Sequence, residues 1–329
     1  MKLKEAVALG KLQLHNRLVL PPMATKKSDE TGLVTPELME YYRQRAEGGC
    51  LGLIITEHSF VCQQGKANPG QMSLAEDAVI PQLKVLVDLL HESGTKVFAQ
   101  INHAGGMTTP DNTGQETVSA SAVQNPGAPV QGCIPRALTV EEVTDIVQQF
   151  IAAAQRVKKA GFDGVEVHSA HAYLLNEFLS PLTNHRTDEY GGSLENRLRI
   201  HCEIIRGIRA AVGEDYPIAV RLGGCDYLPG GNTVADAVKA ARILAAEGVD
   251  LIDISGGMCR YIRKDAAYPG YFADTAAAVK AAVQVPVLLT GGITTAEQAE
   301  KFLADGSADL IGVGRALMKD PAWARNAMQ

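Results

Sequence analysis

Residues 163–168 read DGVEVH, and the chain enters them through a glycine-bearing turn, KAGFDG (159–164). A β-rich apolar run reached from a helix end through glycine marks a strand–helix repeat, because the left-handed residue that closes a helix is most often Gly. The pattern recurs in RLVLPP (17–22), GLIITE (52–57), KVFAQI (96–101), PIAVRL (217–222), DLIDIS (250–255), PVLLTG (286–291) and DLIGVG (309–314). Runs this apolar suit parallel strands buried on both faces. Amphipathic segments separate them, of which 140–159 and 235–246 are the clearest. Eight such units predict an α/β fold, a single (β/α)8 TIM barrel occupying residues 1–329. Extended connections are expected after the third and fourth strands, at 103–138 and 173–193. The rival is a doubly wound dinucleotide fold. Its one near fingerprint, GVGRAL (312–317), has Leu317 where the last glycine belongs and sits in the last unit.

The chain has 329 residues, 46 % hydrophobic and 21 % charged, with formal net charge −6. Mild acidity without a basic stripe argues against nucleic acid as a partner. Six cysteines (Cys50, Cys62, Cys133, Cys202, Cys225, Cys259) are scattered without C-x-x-C spacing. Reduced thiols are therefore expected, with no disulfide framework, zinc site or iron–sulfur site. The opening MKLKEAVALGKLQLHNR has no continuous apolar core, and no run reaches membrane-spanning length. The expectation is a cytoplasmic protein without a membrane partner.

In such barrels chemistry gathers at the C-terminal strand ends. Those positions hold Pro22, Met23, Ala24 and Thr25; Glu57 and His58; Gln100, Asn102 and His103; then His168, His171, Tyr173 and Arg221. Gly291, Gly292, Gly314 and Arg315 follow strands seven and eight, the usual phosphate site of the fold. There TGGITTAEQ (290–298) and GVGRALMKD (312–320) offer backbone N–H groups and an arginine to a phosphate dianion. The plain alternative is glycines that only make turns. His168 and His171 admit a zinc reading, but H-x-x-H at a strand end lacks the helical i,i+4 spacing and an evident third ligand. A purely structural histidine is the other alternative. Two histidines and a tyrosine so close at this edge favour polar substrate handling. Arg221 brings a permanent charge to the mouth, or else pairs with a carboxylate such as Asp226.

These segments together resemble the Old Yellow Enzyme family of FMN-dependent ene-reductases over essentially the whole chain. The resemblance is carried by LHNRLVLPPMAT (14–25), GLIITE (52–57), AQINHAGG (99–106), AGFDGVEVHSAHAYLLNEFLSPLTNHRTDEYGGSLENRLR (160–199), VRL (220–222) and LIGVGRALMKDP (310–321). The chain is more similar to the bacterial branch that includes the N-terminal barrel of 2,4-dienoyl-CoA reductase. Lacking the cysteines of that enzyme's iron–sulfur segment, it is expected to act as a lone barrel.

The resemblance implies FMN, with NADH or NADPH as reductant and a small-molecule substrate; a homo-oligomer is compatible with it. Gly291, Gly292, Gly314 and Arg315 would hold the phosphate. Pro22, Met23, Ala24, Thr25 and His58 would border the isoalloxazine ring, with the Gln100 side chain, and Arg221 would stabilise the reduced flavin at its N1/O2 edge. His168 and His171 would bind the oxygen of an activating carbonyl, hydride would pass from flavin N5 to the β-carbon, and Tyr173 would protonate the α-carbon. Many relatives carry threonine or cysteine where this chain has Ala24, and some superfamily members attach FMN through that cysteine. Ala24 therefore implies non-covalent FMN. Lys26 stands where some relatives place a substrate-contacting aromatic, which favours an anionic substrate. A flavin dehydrogenase passing electrons to another acceptor, as in amine oxidation, is the runner-up. A metal-dependent barrel hydrolase is the most distant alternative.

Overall fold

The computed structural model of the chain describes residues 1–128, 133–266 and 268–329. Residues 129–132, part of the first long connection, lie outside that set. The chain opens with a hairpin, β1 (Val7–Leu9) and β2 (Leu12–Leu14). Next come β3 (Leu18–Leu20), β4 (Leu53–Phe60) and β5 (Lys96–Asn102). Two-residue strands β6 (Val118–Ser119) and β7 (Arg136–Ala137) pair within the 103–138 connection. Then follow β8 (Gly164–Ser169), β9 (Ile218–Leu222), β10 (Leu251–Ile254), β11 (Val287–Leu289) and β12 (Leu310–Gly312). β3 to β5 and β8 to β12 pair in parallel, and Ile311 of β12 registers with Leu18 of β3 to close the barrel. Each apolar run picked from the sequence overlaps one barrel strand.

The helix Val140–Lys159 shows why the outer layer forms where it does. Thr139 caps it: the Thr139 hydroxyl accepts from Glu142 N, and the Glu142 carboxylate accepts from Thr139 N. Glu141 and Glu142 occupy its first turn and Arg156, Lys158 and Lys159 its last, signs that complement the helix dipole. Val143, Ile146, Val147, Phe150, Ala153, Ala154 and Val157 form one buried stripe at helical spacing.

Aspartates stitch the lower rim. Asp163, Asp250 and Asp309 each stand just before a strand and accept an N–H from the barrel strand before it: Val97 at 2.9 Å, Ile218 at 2.9 Å and Val287 at 3.0 Å. Each aspartate also has a cation beside it, Lys96, Arg209 and Lys280 respectively. Within that rim, Leu9 and Leu14 of the hairpin join Val19, Leu53, Ile55, Phe98, Ala219, Leu251, Leu288 and Leu310 in one buried apolar cluster. The hairpin thereby stoppers the N-terminal end. Gly164 belongs to this packing, since a Cβ there would lie 2.4 Å from the Phe98 ring.

Two findings modify the expected connections. The 173–193 segment is partly regular, because Leu174–Leu179 is a buried helix. A third extended connection, 255–272 after β10, adds to the two expected; it carries no periodic signal in the sequence. No helix among the described residues is long and apolar enough to cross a membrane.

Candidate active site

The strand ends converge on a cavity of about 520 Å³ at the C-terminal mouth. Its wall includes Pro22, Met23, Ala24 and Lys26 after β3, His58 of β4, His171 and Tyr173 after β8, and Arg221 of β9. Gly291 and Gly292 after β11, with Gly314 and Arg315 after β12, complete the set brought together from the sequence. Thr25, Gln100 and His168 stand behind the wall. The Thr25 amide donates to Glu57 Oε2 at 2.6 Å, and Gln100 and His168 are buried in the barrel.

The turn after β8 is held in strain. His171 and Ala172 adopt φ of 61° and 66°, a left-handed conformation that costs a side-chain-bearing residue roughly 1–2 kcal/mol. The surroundings impose it. His171 N donates to Gly256 O at 3.0 Å, Ala172 N to Asn176 Oδ1 at 2.8 Å, and Asn125 Nδ2 to Ala172 O at 2.8 Å. Backbone strain fixed in this way clusters at functional sites. Here it gathers the rings: His168 lies 5.0 Å from His171 and 5.1 Å from Tyr173, and His58 lies 5.3 Å from Tyr173, centre to centre.

Burial fixes the protonation of this cluster. Burial above all, with His171 and Arg221 adding repulsion, holds His168 well below the usual histidine range. Burial, then Arg221 and His58, does the same to His171. Both imidazoles are thus neutral at neutral pH. Burial pushes the Tyr173 phenol up to about 12, so it keeps its proton. His171 Nε2 is 2.7 Å from Ser255 Oγ, which leaves Nδ1 for another partner. Among the described residues no group of three or more His, Cys, Asp or Glu is placed to hold a metal ion.

A layer of buried polar groups, Gln100 of β5, Glu166 of β8, Arg221 of β9 and Asp253 of β10, reaches the wall through Arg221. Gln100 Nε2 donates to Glu166 Oε2 at 2.7 Å, while Gln100 Oε1 and Glu166 Oε1 have no partner. Arg221 Nε is 3.1 Å from Asp253 Oδ2, close enough for an ion pair but off the line of a hydrogen bond. This corrects the pairing of Arg221 with Asp226. Asp253 sits directly across the ladder from Arg221. Asp226 lies past the end of β9 and is engaged within the fold, accepting from Ser180 Oγ and from the Asn232 and Met258 amides. Burial raises the Glu166 carboxyl well above its usual range, helped by the Asp253 charge. Burial also lifts Asp253 to about 6, against the pull of Arg221.

At the other end of the cavity the two glycine turns meet an aromatic floor. Gly291 and Gly292 have φ of 122° and 73°, and a Cβ on Gly292 would meet the Tyr271 ring at 2.7 Å. Tyr271 Oη in turn accepts from Arg315 Nη2 at 3.0 Å and donates to Tyr261 O at 2.7 Å. Glycine is thus required for close approach of the backbone, and the arginine is aimed by a tyrosine.

Several of these residues escape a reading of strand ends alone. Glu166 and Asp253 were visible as charges inside the apolar runs GVEV and LIDI. Ser255, Arg260, Tyr261, Tyr271 and Phe272 line the cavity from the 255–272 connection, whose aromatics and arginines are the only sequence signal. Glu57 is read at its strand end, but its bond to Thr25 needs the structure.

A molecule that meets all of these demands has an anionic end for the glycine turns and Arg315, and a flat, acceptor- and donor-bearing ring beside Arg221 and the unpartnered Gln100 oxygen. A flavin mononucleotide fits, and the cavity volume lies within the range of cofactor sites. The fold and site define an FMN-binding barrel oxidoreductase. Comparison with known proteins places the chain within that class. An NADH oxidase of Thermoanaerobacter brockii is 42 % identical over 327 residues, covering 98 % of this chain and 50 % of that protein. An NADPH dehydrogenase of Halalkalibacterium halodurans is 38 % identical over 327 residues, covering 99 % and 94 %. A solved Old Yellow Enzyme homologue from Zymomonas mobilis superposes with a TM-score of 0.86 at 28 % identity, covering 99 % and 92 %. The chain thus spans about half the length of the first relative and nearly all of the second. It belongs to the NADH:flavin oxidoreductase / NADH oxidase family, whose model matches residues 2–329, and within it to the Old Yellow Enzyme group. Its cofactor is FMN.

Proposed function

We propose that this protein, as one FMN-binding domain, reduces the activated C=C bond of α,β-unsaturated carbonyl compounds. The observation that carries the reading is the juxtaposition, on one cavity wall, of neutral His171 and a Tyr173 phenol that keeps its proton. Bound FMN supplies the hydride chemistry. His168 and His171 hold the carbonyl oxygen with uncharged N–H groups, which stabilise negative charge as it develops there. Tyr173 delivers its Oη proton to the α-carbon. Arg221 provides a fixed positive charge at the edge of the cofactor ring. Ala24 has no nucleophile and no cysteine lines the cavity among the described residues, so the cofactor is held without a covalent bond. Lys26 and Arg260 line the same cavity with no acidic partner among the described residues, which favours an acceptor bearing an anionic group.

Tyr173→Phe tests the reading, because flavin reduction by NAD(P)H needs no such proton and alkene reduction does. Stopped-flow measurement should show the reductive half-reaction nearly intact and alkene reduction slowed by about 10²–10⁴-fold, the usual contribution of a general acid. Equal slowing of both halves, or none of the second, removes Tyr173 from the mechanism.

A further inference from the structure

β4 is irregular where it reaches the cavity. Its ladder with β5 pairs Thr56 with Ala99 and resumes at Ser59 with Ile101, so Glu57 and His58 together face the single residue Gln100. A bulge of this kind re-aims side chains beside active sites, and His58 lines the cavity. Beyond the bulge, Phe60 N donates to Met72 O at 3.0 Å and Leu74 N to Phe60 O at 2.9 Å. That pairing holds the preceding residue, buried Gln71, against His58.

Gln71 decides the tautomer of the ring. Its Oε1 accepts from Ala67 N at 2.6 Å, and its Nε2 donates to His58 O at 3.0 Å. A backbone amide can only donate and a carbonyl can only accept, so the Gln71 amide has one orientation. The same Nε2 lies 2.6 Å from His58 Nδ1. Nδ1 must therefore be the bare acceptor, and the proton of the neutral ring sits on Nε2. Burial, then the Arg221 charge, pulls this imidazole down to about 4. No residue described here partners His58 Nε2.

We propose that His58 is a third uncharged hydrogen-bond donor to an anionic oxygen bound in the cavity, and that Gln71 is the positioning residue that holds the donor on Nε2. The inference rests on the oxygen-binding role proposed for His168 and His171. An oxygen accepting from an imidazole N–H at about 2.9 Å lies roughly 4 Å from the ring centre, so two rings up to about 8 Å apart can share it. His58 and His168 are 6.3 Å apart. The ligand class is an oxyanion or enolate-like oxygen, as carried by a phenolate.

The test titrates FMN-loaded enzyme with para-hydroxybenzaldehyde and follows the perturbed flavin absorbance. His58→Ala should weaken binding, measured per bound flavin, about 10- to 100-fold, the range for a hydrogen bond to a charged group, and His58→Gln should restore part of it. In Gln71→Leu, Nδ1 loses its donor and the proton is free to sit on either ring nitrogen. Binding at one fixed pH should then weaken, and His58→Ala with Gln71→Leu should bind no more weakly than His58→Ala alone. The titratable and charged groups around His58 are Arg221, His168, His171, Tyr173 and Glu57, all retained in that variant. Unchanged phenol affinity in His58→Ala alongside weakened affinity in His171→Ala overturns this proposal and leaves the other reading standing. Parental phenol affinity in Gln71→Leu, or a further loss when Gln71→Leu is added to His58→Ala, also overturns it. An enzyme that binds no phenol overturns both.

Discussion

The lower and upper layers of the barrel interior are built on the same strands two residues apart, yet they follow opposite rules. On β5, Phe98 lies below and Gln100 above; on β8 Gly164 lies below Glu166, on β9 Ala219 below Arg221, and on β10 Leu251 below Asp253. Alternate strand residues share a face, so each pair points inward. Phe98, Ala219 and Leu251 close an apolar cluster with the hairpin, with Gly164 against the Phe98 ring; the upper members are buried but polar, with several unpartnered atoms. Burial is therefore not what separates the layers. The lower one is complete in itself, whereas the upper one is left with hydrogen-bonding capacity that a ligand can take up.

Arg221→Leu should break the contrast most severely. It leaves the buried Glu166 and Asp253 carboxyls without their cation, a loss of about 3–5 kcal/mol for a broken buried pair, and it should also release FMN. Adding Asp253→Leu should recover stability in chemical denaturation without recovering FMN. A double variant no more stable than the single one would show that the pair is not the cause. In the lower layer, Leu251→Ala should cost about 2–5 kcal/mol while FMN stoichiometry and phenol binding stay at parental values. Loss of FMN there would erase the distinction between layers.

The smallest effect concerns Glu57, whose carboxyl burial raises from 4.5 to about 7. The folded chain keeps this proton where the unfolded chain has released it. The associated stability is complete below about pH 4.5 and is lost as pH rises through about 7. Glu57→Gln should flatten that part of the stability–pH curve, as read from denaturation midpoints at several pH values; an identical slope in both proteins would place the titration elsewhere.

The layers also explain what could be read from the sequence. Every barrel strand was legible because its apolar run has no solvent-facing side, and the 140–159 helix because its apolar stripe repeats at helical spacing. The mouth residues were legible from their place at strand ends. The partner of Arg221 was not: choosing Asp253 over Asp226 depends on the ladder register of β9 with β10, which joins segments remote in sequence. The left-handed turn at His171 and Ala172 was hidden because neither residue is glycine. The Gln71 contact was hidden because it depends on an isolated bridge between Phe60 and Ser73.

The hairpin at residues 7–14 has a consequence in time. A barrel stoppered at its floor opens its cavity at the mouth, and the cavity of about 520 Å³ must hold the flavin as well as a reactant. In the proposed reaction the nicotinamide donor must depart before the acceptor arrives, so turnover is ping-pong. Double-reciprocal plots at several fixed acceptor concentrations should be parallel lines, and an excess of either reactant should inhibit by occupying the form of the enzyme that awaits the other.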